Sequence, residues 1–198
     1  MTAPTYPLKR PLDVCLSLFL LLVLSPLLAL VALFVLASMG RPVFFRHWRV
    51  GLKGRPFRIW KFRSMVVDAE RAGPVVSISD PRITRVGRLL RLTSLDELPQ
   101  LLNVIAGDMS FVGPRALTTE SIRPEESWRL AVKPGVTSLP IVRGRQSLDW
   151  DRRMALDAWY VENCTLLLDF RILLETIAVV VLRKNVYDKD GEMKERFP

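Results

Sequence analysis

The sequence predicts a mainly helical α+β protein: a kinked membrane helix followed by a small domain with a short β-hairpin and interfacial amphipathic helices. Three observations predict it. Residues 14–39 contain no charged side chain, a longer stretch than the ~20 apolar residues a membrane helix needs. Two aromatic and β-branched runs, 43–45 and 57–63, flank Gly51-Leu52-Lys53-Gly54, the pattern of two short strands joined by a turn. Beyond residue 80, apolar residues recur at helical spacing. The chain divides accordingly into an anchor at 1–40, a domain at 41–185 and a charged tail at 186–198.

At 198 residues there is room for one domain with a core. The 29 Lys+Arg against 20 Asp+Glu, a net charge of +9, favour an anionic partner: a nucleic acid, a phosphorylated small molecule or an anionic lipid surface. Cys15 and Cys164 are the only cysteines and imply no disulfide framework, which fits a reducing compartment. His47 is the only histidine, which argues against a zinc site of His/Cys type.

The apolar stretch is too long for the ~7–15-residue core of a signal peptide, and no small-residue cleavage site follows it. Lys9 and Arg10 precede it; Arg41, Arg46, Arg49, Lys53, Arg55, Arg58, Lys61 and Arg63 follow, with no acidic residue before Asp68. A crossing would put Lys9 and Arg10 on the wrong side by the positive-inside rule. Ser25-Pro26 sits mid-stretch. Proline removes a helical hydrogen bond, and a serine hydroxyl can satisfy the freed carbonyl. The arm 12–24 would measure about 20 Å, short of a ~30 Å hydrocarbon core. A helix that dips into one leaflet and returns accounts for flanks and kink together. An ordinary spanning helix with a tolerated proline is equally open on these grounds.

In the second run of the hairpin, alternation puts Lys61 and Arg63 on one strand face and Trp60 and Phe62 on the other. Such a cation pair can grip phosphate or rest on anionic lipid. In Asp80-Pro81-Arg82-Ile83-Thr84-Arg85-Val86-Gly87-Arg88-Leu89-Leu90-Arg91 the arginines fall three apart. On a helix they spread over roughly half the circumference, a surface suited to bidentate phosphate binding. Downstream, Ser94 and Glu97 have the spacing of a capping box, and Leu98, Leu101, Leu102 and Ile105 form an apolar stripe. Pro99 requires the helix to start near Ser94 or Asp96. Asp96 and Glu97 then occupy a helix start, where the dipole favours ionised carboxylates. Capping alone would explain them, but Arg91 and Gly113-Pro114-Arg115 lie close in sequence. Neighbouring helical positions point about 100° apart, so the two carboxylates have different roles.

The succession Lys61-Phe62-Arg63-Ser64-Met65, Thr93-Ser94-Leu95-Asp96-Glu97-Leu98-Pro99-Gln100, Gly107-Asp108-Met109-Ser110-Phe111-Val112-Gly113-Pro114-Arg115 and Lys133-Pro134-Gly135-Val136-Thr137 resembles the bacterial sugar transferases, the small monotopic phosphoglycosyl transferases. The likeness runs from about Lys9 to Leu182. It implies a re-entrant membrane helix broken at Ser25-Pro26, an aspartyl nucleophile at Asp96 with Glu97 beside it, and a requirement for Mg2+ held by that pair. Lys61, Arg63, Arg91, Arg115 and Arg145 would then serve the phosphates. The implied reaction moves a sugar 1-phosphate from a UDP-sugar to polyprenyl (undecaprenyl) phosphate and releases UMP. The implied place is the bacterial inner membrane, with the catalytic domain on the cytoplasmic face. Its partners are the UDP-sugar, the polyprenyl phosphate and membrane lipids, with no nucleic acid; homodimerisation is left open.

Two departures from the family pattern stand out. Ala116 replaces a proline after Gly-Pro-Arg, and Ser138-Leu139-Pro140-Ile141-Val142 with Arg143-Gly144-Arg145 replaces a Gly-Trp-Ala-Gln stretch and an Asn-Gly-Arg. They bear on substrate recognition, since Asp96 and Glu97 are intact. Residues 156–162 and 166–182 read as helices. Insertion of the second would gain about 6 kcal/mol and lose about 9 at Asp169, Arg171 and Glu175, so it packs on the domain or lies at the interface. Asp157 and Tyr160 resemble a family Asp-x-x-Tyr pattern, with core packing the simpler role for the tyrosine. The rival reading is a membrane-tethered basic protein without catalysis that binds anionic lipid or nucleic acid. It accounts for the charge but not for carboxylates among arginines, and no nucleic-acid module is present.

Overall fold

The computed structural model describes residues 5–69, 73, 77, 79–144 and 147–182. Arg145 and the tail 186–198 lie outside the described residues. Helix α1 (Lys9–Met39) runs through Pro26 for 31 residues. Proline offers no N–H to the carbonyl four residues back, here that of Leu22, and Ser25 Oγ donates to that oxygen at 2.8 Å. The serine thus fills the gap its neighbour leaves.

Straight, such a helix would be about 46 Å long, yet both of its ends are bonded to one domain. At the start, Lys9 pairs with Asp169, and Arg10 donates to the carbonyls of Val104 and Ile105. At the finish, Arg63 donates to the carbonyls of Met39, Gly40 and Arg41, which a helix end leaves without partners. Between these joints Leu18, Phe19, Leu22, Val23 and Leu30 are exposed, a surface penalised in water and not in lipid. Lys9 and Arg10 turn inward, Lys9 to the Asp169 carboxylate and Arg10 to carbonyls at the negative end of the dipole of the helix Leu101–Ala106.

Strands β1 (Phe44–Val50) and β2 (Pro56–Phe62) form the expected hairpin, antiparallel from Phe44↔Phe62 to Val50↔Pro56. Its outer face alternates aromatics and arginines, with Arg46 over Trp60 and Arg58 over Trp48, each 4.7 Å from the ring centre. Its inner face, with Phe57 and Ile59, enters the main core beside Val104, Met109, Phe111 and Tyr160. Phe62 joins a second cluster with Leu90, Val31 and Val35, which seats the far end of α1.

Helix α2 (Arg85–Thr93) is capped by Thr84, whose hydroxyl accepts from Gly87 N at 2.9 Å. A 3-10 helix (Leu95–Gln100) leads into α3 (Leu101–Ala106). The capping box expected at Ser94 and Glu97 does not form. Ser94 is left-handed (φ 57°) and ends α2, and its side chain makes no cap bond; an N-cap needs extended backbone there. Strand β3 (Ser110–Val112) pairs in parallel with β4 (Gly135–Thr137). The short α4 (Leu139–Arg143), α5 (Trp150–Asn163) and α6 (Leu166–Val181) complete the domain. On α6, Leu167, Phe170, Leu174, Ile177 and Val181 remain exposed, recurring three and four residues apart, which makes one apolar stripe.

The Arg63 contacts predict a specific cost. Arg63→Met should destabilise the protein by about 2 kcal/mol, since it strips charged donors from the three carbonyls at the end of α1. Denaturation midpoints in a fixed detergent would measure it; an unchanged midpoint would leave the α1 joint without a role in stability.

Candidate active site

The carboxylates stand on the 3-10 helix because Pro99 and the left-handed Ser94 together fit a short tight turn there. Glu97 faces a cleft and pairs with Lys61, Oε1 to Nζ 2.6 Å. Lys61 comes from the inner face of β2, two residues beyond the buried Ile59. The cleft is lined by Lys61, Glu97, Gln100, Arg115, Arg49 and Ser138 among others. Asp96 is 7% exposed and is not among the residues that line the cleft. Burial pushes its carboxyl up to about 6, the charge of Glu97 adds to the rise, and Lys61 and Arg91 oppose it. The sequence expectation was a carboxylate held ionised by a helix start; desolvation outweighs that effect.

Arg91 is fixed by donation from Nε to Ser64 Oγ at 2.9 Å, with its charge acting on Asp96. Arg115 lies on the segment that follows β3, bridged to Gly135. A Cβ on Gly135 would stand 2.2 Å from Gly113 N, and one on Gly113 would stand 2.4 Å from Lys133 O. The two glycine motifs of the sequence therefore meet as one close backbone contact that sets Arg115 at the cleft. From beneath, Arg129 donates to Arg115 O at 3.0 Å and pairs with Asp157 at 3.2 Å. Burial raises the Asp157 carboxyl to about 7 against the pull of Arg129.

Four of the residues predicted from sequence, Lys61, Arg91, Asp96 and Glu97, gather at one place, and Arg115 shares the cleft with Lys61 and Glu97. Arg63 does not line the cleft; its guanidinium is committed to the end of α1, and it is buried there. Two residues past the cleft-facing Lys61, the strand has ended and the chain turns back under α1. Arg145 is outside the described residues. Sequence reasoning missed Arg49 and Gln100. For Arg49 a signal existed: alternation along 45–49 puts it on the inner face, where it stands opposite Phe57. Ser138 marks the non-family stretch as a cleft wall. Tyr160 is buried, as expected, but its hydroxyl donates to Asp169 at 2.6 Å.

Among the described residues no group of three or more His, Cys, Asp or Glu gathers as metal ligands. Magnesium needs fewer, since it binds through one or two carboxylates with substrate phosphates and waters completing its shell. Asp96 and Glu97 fit that requirement.

A family described as bacterial sugar transferase matches residues 4–183. A protein of Bacillus subtilis (strain 168) called uncharacterized sugar transferase EpsL is 38% identical over 193 residues, covering 96% of this chain and 95% of its own. An undecaprenyl-phosphate galactose phosphotransferase of Salmonella typhimurium is 40% identical over 199 residues, covering 91% of this chain but 42% of its own length. A UDP-glucose:undecaprenyl-phosphate glucose-1-phosphate transferase of Caulobacter vibrioides is 42% identical over 193 residues, covering 90% of this chain and 72% of its own.

The burial of Asp96 predicts a stability signature. With its folded pKa raised, the group contributes stability below pH 4 that is lost as pH rises through about 6. Asp96→Asn removes the charge and should therefore be more stable than the parent at pH 8, with the difference gone at pH 4. Denaturation at the two pH values checks it; equal stability at pH 8 would contradict the desolvation.

Proposed function

The chain belongs to the bacterial sugar transferase family, and from that premise we propose that it transfers a sugar 1-phosphate from a UDP-sugar to a polyprenyl phosphate at the cytoplasmic face of a bacterial inner membrane. The observation that carries this reading is a buried carboxylate, Asp96, bordered by Glu97, Lys61 and Arg91 beside a cleft that holds Arg115. The names of the Salmonella and Caulobacter relatives support the substrate classes.

The Asp96 carboxylate attacks the β-phosphorus of the UDP-sugar, forming an acyl phosphate bond as the bond to the bridging oxygen breaks and UMP leaves. A phosphate oxygen of the polyprenyl phosphate then attacks the same phosphorus. It expels the Asp96 carboxylate and yields a polyprenyl diphosphate sugar. Arg91, Arg115 and Lys61 bind and orient the phosphate oxygens, and Arg49 adds a cation on the same wall. Asp96 and Glu97 hold Mg2+, which when bound supplies positive charge against the diphosphate. Desolvation makes Asp96 a more basic nucleophile than an ordinary aspartate. Ser138 and Ile141 face the cleft, so the stretch that departs from the family pattern sits where a sugar would be discriminated.

The anchor is re-entrant in this reading. Lys9, Arg10 and Arg63 hold both ends of α1 on one domain, and a helix that crossed a bilayer would separate them. In the same reading the exposed apolar stripe of α6 would rest on that interface, with the cleft near the headgroups and the acceptor phosphate.

Three outcomes test the chemistry together. Asp96→Asn should fold and lose at least ~10³-fold of UMP release. The parent, given a UDP-sugar without lipid, should carry a phosphosugar adduct by mass spectrometry. Excess chelator should stop turnover. An Asp96→Asn variant with near-parental activity would end the proposal. In the parent, activity should fall as pH drops through about 6, because only ionised Asp96 attacks; Lys61→Met removes a charge that lowers this pKa and should move the fall to higher pH.

Topology is tested separately. With Thr5→Cys in a background lacking Cys15 and Cys164, an impermeant thiol reagent should not label intact cells. Pro26→Ala with Ser25→Ala should allow a straight span and produce labelling. Strong labelling of the Pro26 parent would mean a spanning anchor.

A further inference from the structure

Three side chains in the first turns of α1 bond two backbone segments that lead to the cleft. Asp13, buried, accepts from Phe111 N at 3.1 Å. Lys9 donates to Val112 O and to Tyr160 Oη, each at 3.1 Å, and pairs with Asp169. Asp169 is itself fixed by the hydroxyls of Tyr6 at 2.7 Å and Tyr160 at 2.6 Å. Phe111 and Val112 belong to β3, and Arg115 follows three residues later. On the other side, Arg10 donates to the carbonyls of Val104 and Ile105. These end α3, whose preceding turn carries Asp96 and Glu97.

Charge-assisted bonds are shorter and stronger than neutral ones, and Arg10 also meets the negative end of a helix dipole. Two different backbone segments, one leading to the carboxylates and one to Arg115, are thus tied to a single rigid helix turn. With its side chain only 11% exposed, Lys9 is badly placed to serve merely as a charge facing lipid.

We propose that Lys9, Arg10 and Asp13 are positioning residues: they hold the Asp96–Glu97 element and the Arg115 segment in register from the membrane anchor. The proposal rests on the reaction proposed above. Lys9 and Asp13 act through Arg115 by fixing the strand that leads to it, and Arg10 fixes the end of the carboxylate element. A displacement of about 1 Å at such a distance from the chemistry can lower a rate by about a hundredfold.

Two readouts on the full chain in anionic nanodiscs test it. The first is amide exchange of residues 110–115, which needs no activity. Lys9→Met and Asp13→Ala should each speed exchange there by about tenfold or more while the β1–β2 hairpin is unchanged. The second is a double-mutant cycle in UMP release. Lys9→Met alone should lower turnover at least about tenfold, Lys9→Arg should recover most of it, and Lys9→Met should cost nothing further in an Arg115→Ala background. If Lys9→Met does not fold, Asp13→Ala, which breaks a single strand bond, carries the same cycle. Unchanged exchange at 110–115, or losses that multiply with Arg115→Ala, would overturn the proposal. A parent that releases no UMP from any UDP-sugar would defeat the functional reading instead, and the exchange result would still decide whether the anchor fixes the strand.

Discussion

Arg63 closes on the carbonyls of Met39, Gly40 and Arg41 at one end of α1, while Lys9 and Arg10 bind the domain at the other. Much of the rest depends on this double attachment. It keeps a long apolar helix from leaving the domain, and it leaves the middle of that helix as the exposed apolar part. It also uses cations that composition alone would assign to a lipid or nucleic-acid surface. Arg82 bonds Asp80 and the carbonyls of Ala69 and Gly73, and Arg129 bonds Asp157 and Arg115 O.

At the cleft the opposing effects are burial and charge. Asp96 is desolvated, which disfavours its ionised form, and the charge of Glu97 disfavours it further; Lys61 and Arg91 pull the other way. Burial wins, and the carboxyl is pushed up to about 6, a shift that suits the nucleophile proposed above. The Lys61–Glu97 pair holds the second carboxylate at the cleft. Sequence neighbours therefore receive different environments, one buried and one paired, consistent with their pointing in different directions on a tight turn.

Much of this was legible from residue order. The hairpin and the helices expected at 156–162 and 166–182, found at Trp150–Asn163 and Leu166–Val181, follow from alternation and helical spacing, while the family resemblance singled out Asp96, Glu97, Lys61 and Arg91. The Ser25-Pro26 repair was legible too, because the orphaned carbonyl of Leu22 is only three residues from the serine. What failed did so at particular positions. Ser94 and Glu97 had the spacing of a cap, but Ser94 had to end the preceding helix, and its left-handed backbone cannot do both. Arg63 matched Lys61 in strand parity, but the strand stops at Phe62.

By itself the sequence determined the apolar anchor, the hairpin and the helices that follow it, because each depends on neighbours within a few positions. Tertiary structure alone decided that Lys9 and Arg10 turn inward and that Arg63 holds the anchor. It also decided that burial outweighs the helix start at Asp96. A charged side chain takes whatever opposite charge or bare carbonyl packing brings within reach, and those partners lie 22 to 160 residues away along the chain.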